Sequence, residues 1–404
     1  MKTIVEINGI NYGSTGKITG GIAGTARKNG FNVYSFFKNS RETKAHLSEN
    51  QFLIGIWAER VLSERLSFYT GLNGYFNIIG TRLFINRLKK IKPDLVQIHS
   101  LCDSFVNIRM LFNYLSRSNI PVVWTLHDNW AFTGRCAQPR CEKWKSGCGN
   151  CPHLDYYPGS AFIDRTRHVF NVRKRIYSRL SNLTIVTPSR WLADLVKESL
   201  FSDRYPVKVI SNGINLDLFK PTNSSFREKN NLQDKHIVLG VAYYWDEFKG
   251  LFDFISLSRS LPDNYKIVMV GTNDETDRLL PESILSIHRT YDQKELIDIY
   301  SSSDVFVIPT YDDNYPTVIM ESIACGTPVI TYDVGGCKEI GDDTCRSVLN
   351  KGDLEGLEKE IISICETGKY SKNACLEYAK NFSEEIKYES YIDLYKEILS
   401  IDEL

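Results

Sequence analysis

Asp313 and Glu321 stand eight residues apart in Asp313-Asn314-Tyr315-Pro316-Thr317-Val318-Ile319-Met320-Glu321, ahead of Gly326-Thr327-Pro328. The upstream run Asp304 to Pro309 is short, apolar and closed by a proline, the mark of a buried strand. Pro316 suits the first turn of a helix, which the spacing predicts over 317–325 with Gly326 as its cap. One acid then lies in the loop before a helix and the other inside it. The first turn of a helix leaves backbone N–H groups unpaired and favours anions. Beside such an end a loop carboxylate can hold sugar hydroxyls while the amides hold phosphate, and a helix carboxylate can hold a ribose diol. Singly, the two acids would be a solvated loop residue and an ordinary helix glutamate. The strand, loop, helix and Gly-Thr-Pro exit together point to a ligand site.

Four further constellations could do chemistry. Asn11-Tyr12-Gly13-Ser14-Thr15-Gly16-Lys17 follows the first strand and opens a helix. Its glycines let backbone approach a ligand, although a plain tight turn reads the same way, and the P-loop spacing is missing. Trp124-Thr125-Leu126-His127-Asp128 closes another strand, where His127 is placed for a ligand and Asp128 equally for a helix cap. Lys249, in Tyr244-Trp245-Asp246-Glu247-Phe248-Lys249-Gly250, lies in a strand-to-helix loop and suits a diphosphate as a point charge. His288-Arg289-Thr290-Tyr291 follows a later strand, with position as its only warrant against a surface loop. Separately, Cys136, Cys141, Cys148 and Cys151 form a C-x4-C-x6-C-x2-C cluster that could close a structural tetrahedral zinc site, with His153 as a spare ligand. Reduced or paired thiols are the alternative; Cys102, Cys325 and Cys365 read as small buried residues.

Alternating strands and helices must position these residues. In the first half, strands are expected at 3–8, 31–36, 94–99, 121–126 and 183–187, with helices over 14–29, 54–69, 104–118 and 165–181. In the second, strands are expected near 207–210, 237–242, 266–271, 284–287, 304–308 and 328–331. This alternation predicts two α/β domains with mainly parallel sheets, split at 1–205 and 206–382, with a terminal helix over 383–404. Ligands bind beyond the carboxyl ends of such strands, and facing domains would put the site in the cleft between them.

Composition is that of a soluble globular protein, with no apolar run long enough to span a bilayer and no secretory signal, so a cytoplasmic protein with reduced thiols is expected. The net charge of zero hides an asymmetry: residues 1–205 hold 29 Lys+Arg and 14 Asp+Glu, a balance of +15, and the remainder carries −15. A basic half suits lipid headgroups or a diphosphate-linked acceptor; nucleic acid is not expected, because the basic residues are dispersed and no nucleic-acid motif is present. Basic runs at Arg82–Lys92 and Arg165–Arg179 are candidates for peripheral attachment to an anionic membrane, the inner face of the plasma membrane, although charge runs are usually solvated faces.

The segment from Asp313 to Glu321 resembles the donor-site signature of retaining glycosyltransferases of family 4 (glycosyl transferases group 1), in which two glutamates flank seven residues. Here the first is Asp313, a shorter carboxylate. The resemblance extends to Val334-Gly335-Gly336 with Glu339, to Tyr300-Ser301-Ser302-Ser303-Asp304, and to Ser211-Asn212-Gly213-Ile214-Asn215 with Phe219 and Pro221, spanning most of residues 187–340. It implies the GT-B fold, two doubly wound Rossmann-like domains facing across a cleft, with the terminal helix crossing back onto the first. It implies a donor site of Lys249, Asp313, Tyr315, Pro316, Thr317, Val318 and Glu321, with Arg289 or Tyr291 at the nucleobase, His127 on the donor sugar, and Gly13, Ser14 and Gly16 lining the donor and acceptor side. The arginine that the family places five positions before Lys249 is Tyr244 here, which removes one cation.

The activity so implied is transfer of a sugar from a UDP- or GDP-sugar to a saccharide or lipid-linked oligosaccharide, as in bacterial capsule, exopolysaccharide, colanic-acid and lipopolysaccharide O-antigen assembly. Transfer would be front-face, with no dedicated protein nucleophile. No catalytic metal is needed, since no Asp-x-Asp pair stands in the right context. The rivals are a GT-B sugar-nucleotide epimerase or phosphorylase, against which the acidic motif and the Gly-Thr-Pro block argue, and a catalytically silent sugar-nucleotide-binding partner, which Tyr244 and Asp313 favour.

Overall fold

The structure, a computed structural model, describes residues 1–290 and 292–401. Two compact units form. One comprises Met1–Ser211 and the segment from Lys387 onward; the other comprises Asn212–Ile386.

The first unit is built on seven parallel strands: β1 (Thr3–Asn8), β2 (Asn32–Lys38), β3 (Gln51–Ile54), β4 (Leu95–Ile98), β5 (Val122–Thr125), β6 (Leu183–Thr187) and β7 (Val207–Val209). They lie in the order β3-β2-β1-β4-β5-β6-β7. The second holds six parallel strands: β8 (His236–Val241), β9 (Tyr265–Val270), β10 (Ile284–Ile287), β11 (Val305–Ile308), β12 (Val329–Tyr332) and β13 (Arg346–Leu349). Their order is β10-β9-β8-β11-β12-β13. Central strands such as β4, β5 and β11 are buried at every residue, so their apolar runs do not alternate. In each sheet the chain builds outward from the first strand in one direction, then returns to build in the other. The reversals fall between β1 and β4 and between β8 and β11. In sheets of this kind ligands bind beyond the strand carboxyl ends at such a reversal.

The domain break differs from the sequence expectation. Asp203 and Pro206 interrupt the periodicity, but the chain runs on into β7, which hydrogen-bonds to β6 and completes the first sheet, so the break follows Ser211. Two edge strands, β3 and β13, went unpredicted. Both are four residues long and mix polar with apolar side chains, which gives little periodic signal. A helix over Ile78–Ile91 was likewise read only as a basic run.

The terminal helix is Glu384–Leu399, and its latter part packs on the first unit. Tyr395 Oη donates to Gln97 Oε1 at 3.1 Å, and Tyr391 Oη accepts from Thr125 Oγ1 at 3.2 Å, pairing polar groups that β4 and β5 bury. The Tyr388 ring packs against Gly21, where a Cβ would come within 2.2 Å of it.

Candidate active site

In the second unit, Lys249 and Asp313 occupy the loops after β8 and β11, the strands flanking the reversal. Lys249 closes a single turn, Glu247–Lys249, that Asp246 caps by accepting the Phe248 and Lys249 N–H groups, each at 2.9 Å. Its ammonium meets Asp313 Oδ2 at 2.6 Å. Burial opposes the charge on Lys249, but the Asp313 carboxylate and its hydrogen bond outweigh that and hold the ammonium above the usual lysine range.

Backbone contacts lock the loops around this pair. Tyr311 N–H and Thr310 Oγ1 both donate to Phe248 O, at 2.8 and 3.1 Å. Gly336 N–H, after β12, donates to Asp313 O at 3.2 Å. Gly335 is left-handed at φ +52°, and a Cβ there would sit 1.8 Å from Asp313 O, so only glycine lets that loop close on Asp313.

Glu321 lies on the helix Thr317–Ala324, where its Oε2 accepts from buried Tyr300 at 3.3 Å. Pro316 begins that helix without a side-chain cap. Pro316 is buried, and Tyr315, Thr317 and Val318 are half-buried around the first turn. Arg289 is exposed after β10, the edge strand two places from β8. Tyr291 lies outside the described residues.

In the first unit, Gly13 opens the helix Gly13–Lys28 at φ +64°, with Ser14 exposed beside it. Gly16 is demanded by the turn itself, since a Cβ would stand 2.4 Å from the Asn11 carbonyl carbon. His127 follows β5, and its Nε2 lies 3.1 Å from His99 Nδ1, the rings stacked. Burial among packed groups pushes His127 down to about 4 and His99 well below the usual histidine range. Both rings are therefore neutral near pH 7, suited to hydrogen bonding and not to ion pairing. Asp128 accepts the Trp130 N–H at 2.8 Å, and burial raises it to about 6.

Sequence reading passed over His99 and the Lys38–Asp103 ion pair, 2.6 Å long, beside the same reversal. Their signal was position: Lys38 ends β2, while His99 and Asp103 follow β4. Which strand ends gather at a reversal depends on long-range pairing that no local pattern carries.

The four cysteines of the loop after β5 line one cavity of about 20 Å³. Gly147, Cys148, Gly149 and Asn150 all take positive φ, folding Cys148 and Cys151 into a tight knuckle, and Gly134 N–H donates to Cys148 Sγ at 3.1 Å. A hydrogen bond with Cys136 lowers the Cys151 thiol to about 6. All four are free thiols, and among the described residues no three Cys, His, Asp or Glu side chains converge as metal ligands.

Two buried arginines brace this loop. Arg135 donates to the carbonyls of His153, Leu154, Tyr156 and Pro158. Arg173 donates to those of Trp130 and Thr133 and stacks 3.7 Å over the Trp130 ring. This corrects the reading of 165–179 as a basic surface: Lys174 and Arg175 are exposed, but Arg173 is a core residue whose guanidinium donates to loop carbonyls.

Comparison with known proteins settles the family. A family model described as Glycosyltransferase Family 4 matches residues 21–218, and one described as Glycosyl transferases group 1 matches residues 222–382. This chain belongs to glycosyltransferase family 4. It is 24% identical over 352 residues to the Escherichia coli (strain K12) protein WcaC, named for colanic acid biosynthesis glycosyl transfer, covering 83% of this chain and 82% of that one. It is 27% identical over 204 residues to the Campylobacter jejuni N,N'-diacetylbacillosaminyl-diphospho-undecaprenol alpha-1,3-N-acetylgalactosaminyltransferase, covering 47% of this chain and 54% of that one. The fold is similar to that of sucrose-phosphate synthase from Thermosynechococcus elongatus, with a TM-score of 0.72 at 16% identity over the whole of both chains. Anabaena HepE, solved with UDP and glucose, gives 0.70 at 14% identity over 98% of this chain and 99% of that one. This family 4 glycosyltransferase thus has the GT-B fold, two doubly wound parallel-sheet domains.

A pH prediction follows from His127. Its pKa, lowered from 6.5 to about 4, means that the folded chain withholds a proton that the unfolded chain takes up. The ring therefore costs stability progressively as pH falls from about 6.5 towards about 4. In a proton NMR titration of the full chain, assigned by comparison with His127→Asn, the His127 ring signals should keep neutral positions down to about pH 5 and turn over near 4. A midpoint near 6.5 would contradict the desolvated His99–His127 pair.

Proposed function

We propose that this family 4 enzyme is a retaining glycosyltransferase that moves a sugar from a UDP- or GDP-sugar to a saccharide or lipid-linked oligosaccharide, in cell-surface polysaccharide synthesis at the inner face of the plasma membrane. The observation that carries the reading is the Lys249–Asp313 pair at the strand-order reversal of the second unit, with Glu321 on the helix that follows. The names of WcaC and of the Campylobacter enzyme, whose lipid diphosphate acceptor is printed in its name, support the acceptor class.

In this reading Lys249 balances charge on the departing nucleotide diphosphate, and the uncapped first turn of the helix Thr317–Ala324 adds backbone N–H groups. Charge placed in advance where charge develops is the largest lever such a site has. Asp313 holds Lys249 in place and receives a donor-sugar hydroxyl; Glu321 receives the ribose diol. In the first unit His127, neutral near pH 7, is suited to hydrogen-bond a hydroxyl and not to pair with a charge. The acceptor hydroxyl attacks from the face that the diphosphate leaves, with no covalent intermediate on the protein.

Glu321→Gln and Lys249→Ala should each lower transfer from the preferred nucleotide sugar by at least tenfold, about 1.4 kcal/mol. A panel of UDP- and GDP-sugars with a saccharide acceptor, product anomers read by NMR, tests the donor and the stereochemistry together. Parent rates in both variants would move the donor site elsewhere. Tyr244 and Asp313, where the family has arginine and glutamate, favour a second reading as a silent sugar-nucleotide-binding partner. Tight nucleotide binding without transfer or hydrolysis is its signature.

The four-cysteine cavity we read as a structural zinc site whose thiols turn inward on binding, since ligand energy becomes folding energy in such sites. Protein purified without chelator should carry about one zinc per chain, and Cys148→Ser should lose metal and melting temperature together. Metal-free protein with an unchanged melting temperature would contradict this and leave reduced thiols.

A further inference from the structure

The helix Trp57–Thr70 is inside out. Its buried residues are Ser63 and Ser67, whereas Trp57, Leu62 and Tyr69 are 53%, 56% and 60% exposed and Phe68 is exposed beside them. A surface helix ordinarily turns its apolar stripe to the core. Here two serines let the helix lie close to the domain, and the large apolar side chains face outward.

The neighbouring helix Ile78–Ile91 continues this face. Glu59, in the first turn of Trp57–Thr70, accepts the N–H groups of Ile79 and Gly80, both at 2.7 Å, and so ties the two helix starts together. Ile78, Ile79 and Leu83 are each at least half exposed. At the far end of Trp57–Thr70, Ala161 N–H donates to Phe68 O at 2.9 Å, which sets Phe162, 85% exposed, next to Phe68. One contiguous surface thus gathers exposed aromatic and aliphatic side chains from three segments. Apolar exposure on this scale marks an interaction site.

Its charge says what covers it. Residues 56–92 hold seven basic and two acidic side chains, a net +5. Both acids are engaged, Glu59 with the backbone of the second helix and Glu64 with Arg60 at 2.5 Å. Arg82, Arg87, Lys89 and Lys90 are exposed along the second helix, and the last three border a cavity of about 600 Å³ that Leu53, Leu83 and Phe84 also line. Apolar side chains that can enter the acyl boundary, edged by cations at headgroup level, are what an interfacial anchor requires. A second copy of this chain fits badly, because a +5 face would meet another +5 face. Among the described residues no helix is long and apolar enough to cross a bilayer, so contact would be peripheral.

We propose that the outward faces of Trp57–Thr70 and Ile78–Ile91 dock on an anionic bilayer, with the cavity beside Arg87, Lys89 and Lys90 receiving a lipid phosphate. The proposal takes its purpose from the reading of a lipid-linked acceptor, but its test needs neither donor nor acceptor, so either can fail alone.

The full chain is floated with vesicles of phosphatidylcholine, with and without phosphatidylglycerol, at low and high salt. The parent should bind only the anionic vesicles and come off as salt rises, since exposed charges are screened beyond roughly 8 Å at physiological ionic strength. Leu62→Ser/Ile79→Ser/Leu83→Ser should weaken binding by more than tenfold, and Lys89→Ser/Lys90→Ser should weaken it and flatten the salt dependence. Lys174→Ser/Arg175→Ser, exposed cations on the helix Thr166–Tyr177, should bind as the parent does, and unchanged melting temperatures establish that each variant is folded. Parent protein that binds neither vesicle at low salt overturns the proposal. So does binding that the two α-helical variants leave intact, or a parent dimer in sedimentation equilibrium that the apolar triple variant dissociates.

Discussion

The ion pair between Lys249 and Asp313 joins the two loops on which the second unit's site depends. Two half-buried charges from segments 64 residues apart are held at 2.6 Å because strand order reverses between β8 and β11, and because the Phe248 and Asp313 carbonyls tie the neighbouring loops together. Each charge alone would face a low-dielectric wall without a counterion, an expensive state. Paired, they keep a cation fixed between the loops that follow β8 and β11. The glycine at 335 belongs to the same constraint, since any side chain there would displace the Asp313 backbone.

The first unit solves a different problem. Its long segment after β5 has little regular structure and many buried carbonyls. Arg135 and Arg173 satisfy these as fixed forks of donors, so charge is used as scaffold. Burial of His99 and His127 keeps that neighbourhood neutral. The excess positive charge of this half is pushed outward instead, and part of it collects on the two helices whose apolar side chains face solvent.

How much of this was legible in the sequence depended on range. The strand, proline, helix and glycine around Asp313 and Glu321 are local signals, and the helix formed at Thr317–Ala324 with Gly326 left-handed just beyond. Central strands were readable because burial on both faces makes them continuous apolar runs. β7 was misassigned, because membership of a sheet is decided by a partner and not by the strand's own residues. Arg173 sat in a basic run that composition alone reads as surface, while its burial follows from carbonyls some 40 positions away. The inside-out helix was predicted as a helix, but only the fold says which face is inward. His99 met His127 through the pairing of β4 with β5.

The central claim is that the donor nucleotide is held by the loops after β8 and β11 and by the first turn of the helix Thr317–Ala324. Backbone amide hydrogen exchange on the full chain, with and without UDP and GDP, tests it most directly. The account predicts added protection over residues 243–251 and over the amides of Thr317, Val318 and Ile319, with none over 56–92. A nucleotide that binds, yet protects neither of those two segments, would contradict it.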